Sequence, residues 1–346
     1  MTLPTSPAPH VIAPNSVRRV MTIVIVALVP AIVMHVVFFG IGLLVQLVLG
    51  VTIALIAEAI ALRLRHKPLL PFLTDGSAII TGVLLAMCLP PLAPWWLVVS
   101  GSAFAILLAK HLYGGLGANP FNPAMVGYAV LLVSFPAQLT QWLPPQLADL
   151  DIVRPGVGDS LYTIFIGHLP AHLTWDAITS PTPLDSLRTS LVMGQTMQEA
   201  QANSLFGALG GRGWDWINLS LLGAGIWLLA LRIIRWHIPV AMLAALAIPA
   251  AVMNAVDPGA YAGALFHLTA GASMLGAFFI ATDPISAATS NRGKLLYGAG
   301  IGAITYVIRT WGGYPDGVAF AVLMMNAAVP LIDRYTVPRI YGHVRK

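Results

Sequence analysis

The chain has 346 residues, of which 58% are hydrophobic and 9% are charged, and its formal net charge is +5. Ordinary soluble domains contain about 25% charged residues, so this composition excludes a disordered chain and a nucleic-acid-binding domain and argues against a soluble globular enzyme. Because the apolar residues form uninterrupted blocks, we predict an all-α polytopic membrane protein.

About ten apolar blocks are long enough for transmembrane helices, since roughly 20 helical residues cross a bilayer core about 30 Å thick. The predicted spans are 20–39, 41–62, 76–91, 95–110, 123–137, 214–235, 238–256, 262–282, 295–310 and 316–333. The first block follows Arg18 and Arg19, and a second block begins almost at once, so we interpret it as a retained anchor rather than a signal peptide.

The distribution of basic residues predicts the orientation of these spans. With residues 1–19 in the cytoplasm and one crossing per span, the basic tail 336–346 also lies in the cytoplasm. Of the 18 Lys and Arg residues, four fall on the opposite side, namely Arg154, Arg188, Arg212 and Arg309. An excess of Lys and Arg marks cytoplasmic loops. We therefore expect a protein of the bacterial inner membrane with both termini on the cytoplasmic side.

The long polar segment 138–213 is then a periplasmic loop. A structureless loop of this length is uncommon, so such a segment is usually functional, a small folded insert or a linker. Two apolar stretches, at residues 161–166 and 187–193, predict that part of it folds against the membrane face.

Segments 20–137 and 214–335 resemble each other and predict an internal repeat. The stretches 74–77 and 269–273 each open a short apolar run, and an aromatic residue followed by two glycines ends a later helix at 113–115 and 311–313. Five crossings per copy invert the second copy, as in many transporters. The alternative is that the two segments are alike only because closely packed membrane helices share a similar composition.

Three ionisable residues, His35, Glu58 and His267, fall inside predicted spans, where burying a charge is costly. Glu58 lies near the cytoplasmic end of its span, so we expect it to reach the interface or to pair with Arg63 or Arg65. The two histidines fit a neutral state in which each donates to a nearby backbone carbonyl. A functional role for each of the three is the alternative.

Residues 113–127 predict a rigid turn entering a helix. Pro123 suits the first helical position and Asn122 suits the N-cap before it. The sequence contains one cysteine, Cys88, so no disulfide or cysteine-ligated cluster can form within the chain. We therefore predict no metal site, and any redox centre must be organic or supplied by a partner.

Residues 176–185 form a segment rich in Ser, Thr and Pro, which by itself indicates a turn. No general base stands beside its hydroxyls, so we predict no catalytic nucleophile here. We expect the Thr182 hydroxyl to be exposed in the loop and to contribute little to folding.

Two longer motifs carry a resemblance to a known family. Residues 114–128, continuing through 134–136, and residues 281–286, with Arg292 and Gly293, resemble the D subunits of the Rnf electron-transport complex. The B subunit of the sodium-translocating NADH:quinone oxidoreductase is a related family. The resemblance implies an FMN joined through its phosphate to Thr182, within an attachment motif that includes Asp176, Thr179 and Ser180.

Pro181 departs from this motif, which has a small alanine there, and Thr179 or Ser180 is the alternative hydroxyl. The resemblance also implies a flavin transferase that attaches the FMN and a second, non-covalent, riboflavin-like flavin in the helical core. Its implied partners are the other subunits of a complex that links ferredoxin:NAD electron transfer to sodium or proton movement. The competing hypothesis is a small-solute channel with the architecture of urea or ammonium channels.

Overall fold

The computed structural model describes residues 17–147, 155–207, 209–314 and 316–336, and within these ranges it contains helices and no β-strand. The predicted all-α class is therefore confirmed. Most of segment 1–19 and nearly all of the tail 336–346 lie outside the described residues.

Seventeen helices are described, two of which continue into π-helical segments with a wider turn. They are α1 (Val17–Phe39), α2 (Gly42–Leu64), α3 (Leu69–Leu73), α4 (Ser77–Met87), α5 (Trp95–Ala103, continued by π-helical Phe104–His111), α6 (Pro123–Ser134), α7 (Pro136–Leu139), α8 (Val157–Ile166), α9 (Trp175–Ile178), α10 (Pro183–Val192), α11 (Met197–Gln201), α12 (Trp214–Ala230), α13 (His237–Val256), α14 (Ala264–Thr269), α15 (Ser273–Leu275, continued by π-helical Gly276–Ile280), α16 (Asn291–Trp311) and α17 (Val318–Thr336).

Each of the ten predicted spans contains helix, but the eighth is broken into α14 and α15. Five segments are long and apolar enough to cross a membrane by length and composition: Val17–Phe39, Gly42–Leu64, Leu69–Met87, His237–Val256 and Val318–Thr336. A polytopic membrane protein is therefore confirmed, whereas the number of ten crossings stays a prediction.

Large apolar side chains on the outside of the helices agree with a lipid environment. On α1, Val26, Val29, Val33 and Val37 are about half exposed and recur at helical spacing. In water such a continuous apolar face would be unfavourable, whereas in a bilayer it meets hydrocarbon.

The two halves make equivalent contacts. Helix α1 contacts its counterpart α12, and α6 contacts its counterpart α17, while α2 packs on α5 as α13 packs on α16. Gly76 and Gly271, which occupy matching positions before α4 and α15, both have positive φ, at 86° and 59°. These contacts agree with the predicted repeat, whose inversion across the membrane stays a prediction.

Glycines permit the closest helix contacts in both halves. A Cβ atom added to Gly82 of α4 would lie 2.7 Å from the carbonyl oxygen of Gly50 on α2. A Cβ atom added to Gly298 of α16 would lie 2.6 Å from the carbonyl oxygen of Ile238 on α13. Small residues of this kind let helix backbones approach each other in membranes.

Most of segment 138–213 is folded rather than extended. Helix α8 packs on α2, and α10 and α11 contribute Leu184, Leu187 and Met197 to an apolar cluster with Phe266 of α14. Stretches 161–166 and 187–193 are folded as predicted, because they fall largely within α8 and α10. Their position against the membrane face stays a prediction.

Candidate functional site

A cavity of about 570 Å³ lies where the two halves meet the folded loop. Its lining includes His35 of α1, Tyr128 of α6, Trp214 of α12, Tyr314 and the start of α10 at Thr182. Small-molecule sites typically enclose about 300–1,000 Å³ and are mostly apolar with a few polar groups. The cavity therefore has the size and the lining of a ligand site.

Thr182 is the N-cap of α10 and is half-buried, so the expectation of an exposed loop hydroxyl is wrong. Its Oγ1 accepts a hydrogen bond from the backbone N–H of Asp185 at 3.3 Å, and Pro183 occupies the first helical position. This combination is a strong helix-start signal, because the Thr182 hydroxyl satisfies a free N–H and proline suits the first position. Asp185 adds a negative charge in the first turn, which the helix dipole favours. The loop therefore folds into a helix at the residue singled out by the motif.

The other three motif residues do not line the cavity. Thr179 donates its hydroxyl to the carbonyl of Trp175 at 2.8 Å, and Ser180 donates its backbone N–H to the carbonyl of Trp142 at 2.9 Å. Asp176 is exposed on α9. Of the predicted attachment residues, Thr182 is the one whose side chain adjoins the cavity.

Three aromatic rings pack around the imidazole ring of His35. Its ring centroid lies 5.0 Å from that of Phe39 and 6.3 Å from those of both Trp142 and Trp214. The two tryptophans pack edge to face at 5.0 Å. Because His35, Trp142 and Trp214 also line the cavity, a planar ligand would meet aromatic surface there.

His35 itself is 2% exposed, and neither ring nitrogen has a hydrogen-bond partner among the described residues. The expectation that a backbone carbonyl satisfies this histidine is therefore wrong. The nearby carbonyls of α1 accept hydrogen bonds from backbone N–H groups of the helix. The His35 ring packs against aromatic side chains instead.

Glu58 lies in a buried charged cluster away from this cavity. Its carboxylate lies 2.7 Å from Lys110 Nζ and 3.0 Å from His111 Nε2, and Lys110 also donates to Ser77 Oγ at 2.8 Å. The expected pairing with Arg63 or Arg65 is wrong. The π-helical segment ending at His111 narrows the angle between consecutive side chains, so Lys110 and His111 both reach Glu58.

A second ion pair, between a buried arginine and a partly buried aspartate, was not predicted from the sequence. Arg309 Nη2 lies 3.0 Å from Asp316 Oδ1, and Arg309 Nη1 donates to the carbonyl of His267 at 2.7 Å. Asp316, which also lines the cavity, accepts from the backbone N–H of Ala272 at 2.7 Å. The available signal was the position of Arg309 inside predicted span 295–310, where a charge requires a partner.

Metal ligation has no evident place in the described part of the chain, where no group of three or more His, Cys, Asp or Glu side chains could hold an ion. Cys88 is a free thiol in the cavity lining. The chemistry available at the cavity is thus apolar and aromatic contact, the hydroxyls of three threonines, one thiol, a few charged groups and the His35 imidazole.

Comparison with known proteins decides the family. Residues 4–342 match the family described as NQR2, RnfD, RnfE. The chain belongs to this family. The resemblance drawn from the two motifs is therefore confirmed.

Several relatives of the chain are each named as the D subunit of an ion-translocating oxidoreductase complex. The protein of Escherichia fergusonii is 50% identical over 344 residues, covering 97% of both chains. That of Yersinia enterocolitica is 51% identical over 352 residues, covering 100% of this chain and 99% of its own. That of Citrobacter koseri is 48% identical, covering 97% of this chain and 98% of its own.

Proposed function

We propose that this chain is the D-type membrane component of an ion-translocating oxidoreductase complex and that it carries FMN joined through its phosphate to Thr182. Full-length similarity to relatives named as D subunits of such a complex supports the first part. The observation that carries the second part is the position of the Thr182 hydroxyl at a cavity of ligand size.

The residues at the cavity fit a tethered flavin. Its walls offer the rings of Tyr128, Trp142, Trp214 and Tyr314, which suit the flat face of an isoalloxazine ring. A covalent tether at the rim replaces binding affinity with a high effective concentration. The site therefore needs no separate nucleotide-binding fold.

The phosphate end also finds suitable groups. A phosphodiester on Thr182 would lie at the N-terminus of the ten-residue α10, where the helix dipole favours negative charge. Arg188, one to two turns further along α10, lines the same cavity. Its positive charge offsets the negative charge of Asp185. This arrangement stabilises one negative charge at Thr182.

When bound, FMN supplies electron transfer in single or paired steps, while the protein positions the ring and sets its potential. The apolar walls provide a surface of low polarity beside the ring, and the cap at Thr182 holds the attachment point at the start of α10. Coupling to sodium or proton movement is part of the proposal. With one cysteine in the chain, cysteine-ligated iron–sulfur centres belong to partner subunits, and we propose that the NAD site does too.

The maturation and location of the chain complete the proposal. Asp176 and Pro181 are exposed beside Thr182, where a flavin transferase can approach. We propose that this loop faces the periplasm of a bacterium, with both termini on the cytoplasmic side of the inner membrane. A second, non-covalent, riboflavin-like flavin would lie in the helical core, with no residues assigned to it.

In-gel flavin fluorescence of the denatured chain tests the attachment, after co-expression with the other subunits and an active flavin transferase. We expect a fluorescent band for the wild type and none for Thr182→Asn, whose side chain still caps α10 but has no hydroxyl. The control Thr189→Ala keeps the band, because Thr189 lies on the same helix and lines the same cavity but stands outside the attachment motif. A dark wild-type band would overturn the covalent FMN, and a fluorescent Thr182→Asn band would overturn Thr182 as its attachment site.

A further inference from the structure

We propose that His35 binds the polar edge of the isoalloxazine ring attached at Thr182 and thereby raises the reduction potential of that flavin. This inference rests on the proposed function. It begins from the fact that His35 and Thr182, which are far apart in sequence, line the same cavity.

The hydrogen-bonding state of His35 points to a ligand. Among the described residues that line the cavity, His35 is the one with buried polar side-chain atoms that lack any partner. Buried polar groups in native proteins nearly always have partners. Both nitrogens of the His35 imidazole lack a partner, and the residue lines a cavity. We therefore expect a ligand in the cavity to supply the missing hydrogen-bonding group.

None of the aromatic side chains around His35, including Trp214, makes a hydrogen bond to it. The indole N–H of Trp142 donates to the carbonyl of Leu139 at 3.0 Å, and Phe39 offers only an apolar ring. Packing against these rings holds the imidazole in place at the cavity wall. The remaining source of a partner is a molecule inside the cavity.

Two other polar groups of the cavity already have hydrogen-bond partners. Asp316 binds Arg309 and the backbone N–H of Ala272, and Thr182 Oγ1 accepts from the backbone of Asp185. His35 therefore stands out as the buried group free to recognise a ligand. Because His35 on α1 and Thr182 at the start of α10 line the same cavity, a molecule tethered at Thr182 occupies the space that the imidazole borders.

An isoalloxazine ring matches the chemistry of a neutral imidazole. The ring edge carries carbonyl oxygens and ring nitrogens that accept, and one imide N–H that donates, while neutral histidine has one donor and one acceptor. Donation from His35 favours the reduced ring, on which negative charge accumulates. Loss of this donor therefore makes the flavin harder to reduce.

The test measures the covalent flavin in the assembled complex, produced with an active transferase, for the variants His35→Phe and His35→Gln. Redox titration gives the midpoint potential, and gel fluorescence gives the extent of attachment. We expect His35→Phe to keep a wild-type fluorescent band but to show a more negative potential and an altered visible absorption spectrum. His35→Gln, which restores a donor and an acceptor, should return both towards the wild type.

A matched control separates hydrogen bonding from packing. Phe39→Leu alters the same aromatic cluster at a residue that does not line the cavity, and it should leave the potential unchanged. If His35→Phe does not accumulate in the membrane, His35→Leu takes its place, and the comparison with His35→Gln stays the same.

The outcomes distinguish failure of the covalent flavin from failure of the role of His35. A wild type without a fluorescent band overturns the covalent flavin itself and the inference with it. A fluorescent wild type whose potential and spectrum match those of His35→Phe overturns the role of His35 alone. An equal shift in Phe39→Leu also overturns it, because packing would then explain the effect.

Discussion

The backbone N–H of Asn122 donates to Asn326 Oδ1 at 3.1 Å, joining the first half of the chain to the second. Asn122 also caps α6, as predicted, by accepting from the backbone N–H of Met125 at 3.2 Å. Because Met125 lines the cavity, this junction helps to set the position of the cavity wall.

The other atoms of this pair are bonded as well. Asn122 Nδ2 donates to the carbonyl of Ile280 at 3.2 Å, and Asn326 Nδ2 donates to the carbonyl of Ser286 and to the hydroxyl of Tyr297. Both asparagines are buried. The network thus holds α6, α17 and the end of the α15 segment in one arrangement.

We predict that Asn326→Ala lowers the free energy of unfolding by about 1–3 kcal/mol, because it leaves the Asn122 N–H buried without a partner. Thermal unfolding of the protein in detergent measures the change. The control is Met324→Ala on the exposed face of α17, where Met324 is 57% exposed. Equal melting temperatures for Asn326→Ala and the wild type would contradict this role.

The buried pair Glu58 and Lys110 predicts strong non-additivity. Lys110→Met leaves a carboxylate buried beside His111 and should lower the free energy of unfolding by about 3–5 kcal/mol. The double variant Glu58→Leu with Lys110→Met removes both charges and should recover most of that loss. Unfolding of the two variants in detergent gives the comparison, and a double variant no more stable than Lys110→Met would refute the pairing.

The contact of α2 with α4 predicts opposite effects for two glycine substitutions. Gly82→Ala places a Cβ atom 2.7 Å from the carbonyl oxygen of Gly50, and such overpacking costs about 1–3 kcal/mol. Gly223 of α12 has no atom within 4 Å of an added Cβ, so Gly223→Ala should be neutral or stabilising. Melting temperatures check the pair, and equal effects would show that α2 and α4 do not pack this closely.

The cap at Thr182 predicts that flavin attachment and helix stability can be separated. Thr182→Ala removes both the ester site and the cap, which costs about 0.5–2 kcal/mol. Thr182→Asn removes the ester site alone. Hydrogen exchange of the α10 amides should therefore be faster in Thr182→Ala than in Thr182→Asn, and equal rates would mean that the hydroxyl does not cap α10.

Several features followed from local sequence alone. Long apolar runs predicted the membrane helices, and Asn122 before Pro123 predicted the cap of α6, because both signals act within one helix. The motifs at 114–128 and 281–286 identified the family in the same way. Each of these features depends on residues close together in the chain.

The tertiary structure decided how distant residues combine. It showed that Glu58 binds Lys110 rather than a neighbouring arginine, since a π-helical segment more than 40 residues later turns that lysine inward. It also showed that His35 and Thr182 share a cavity. Cavities and buried ion pairs arise from packing between helices, and no local pattern of residues records which helices meet.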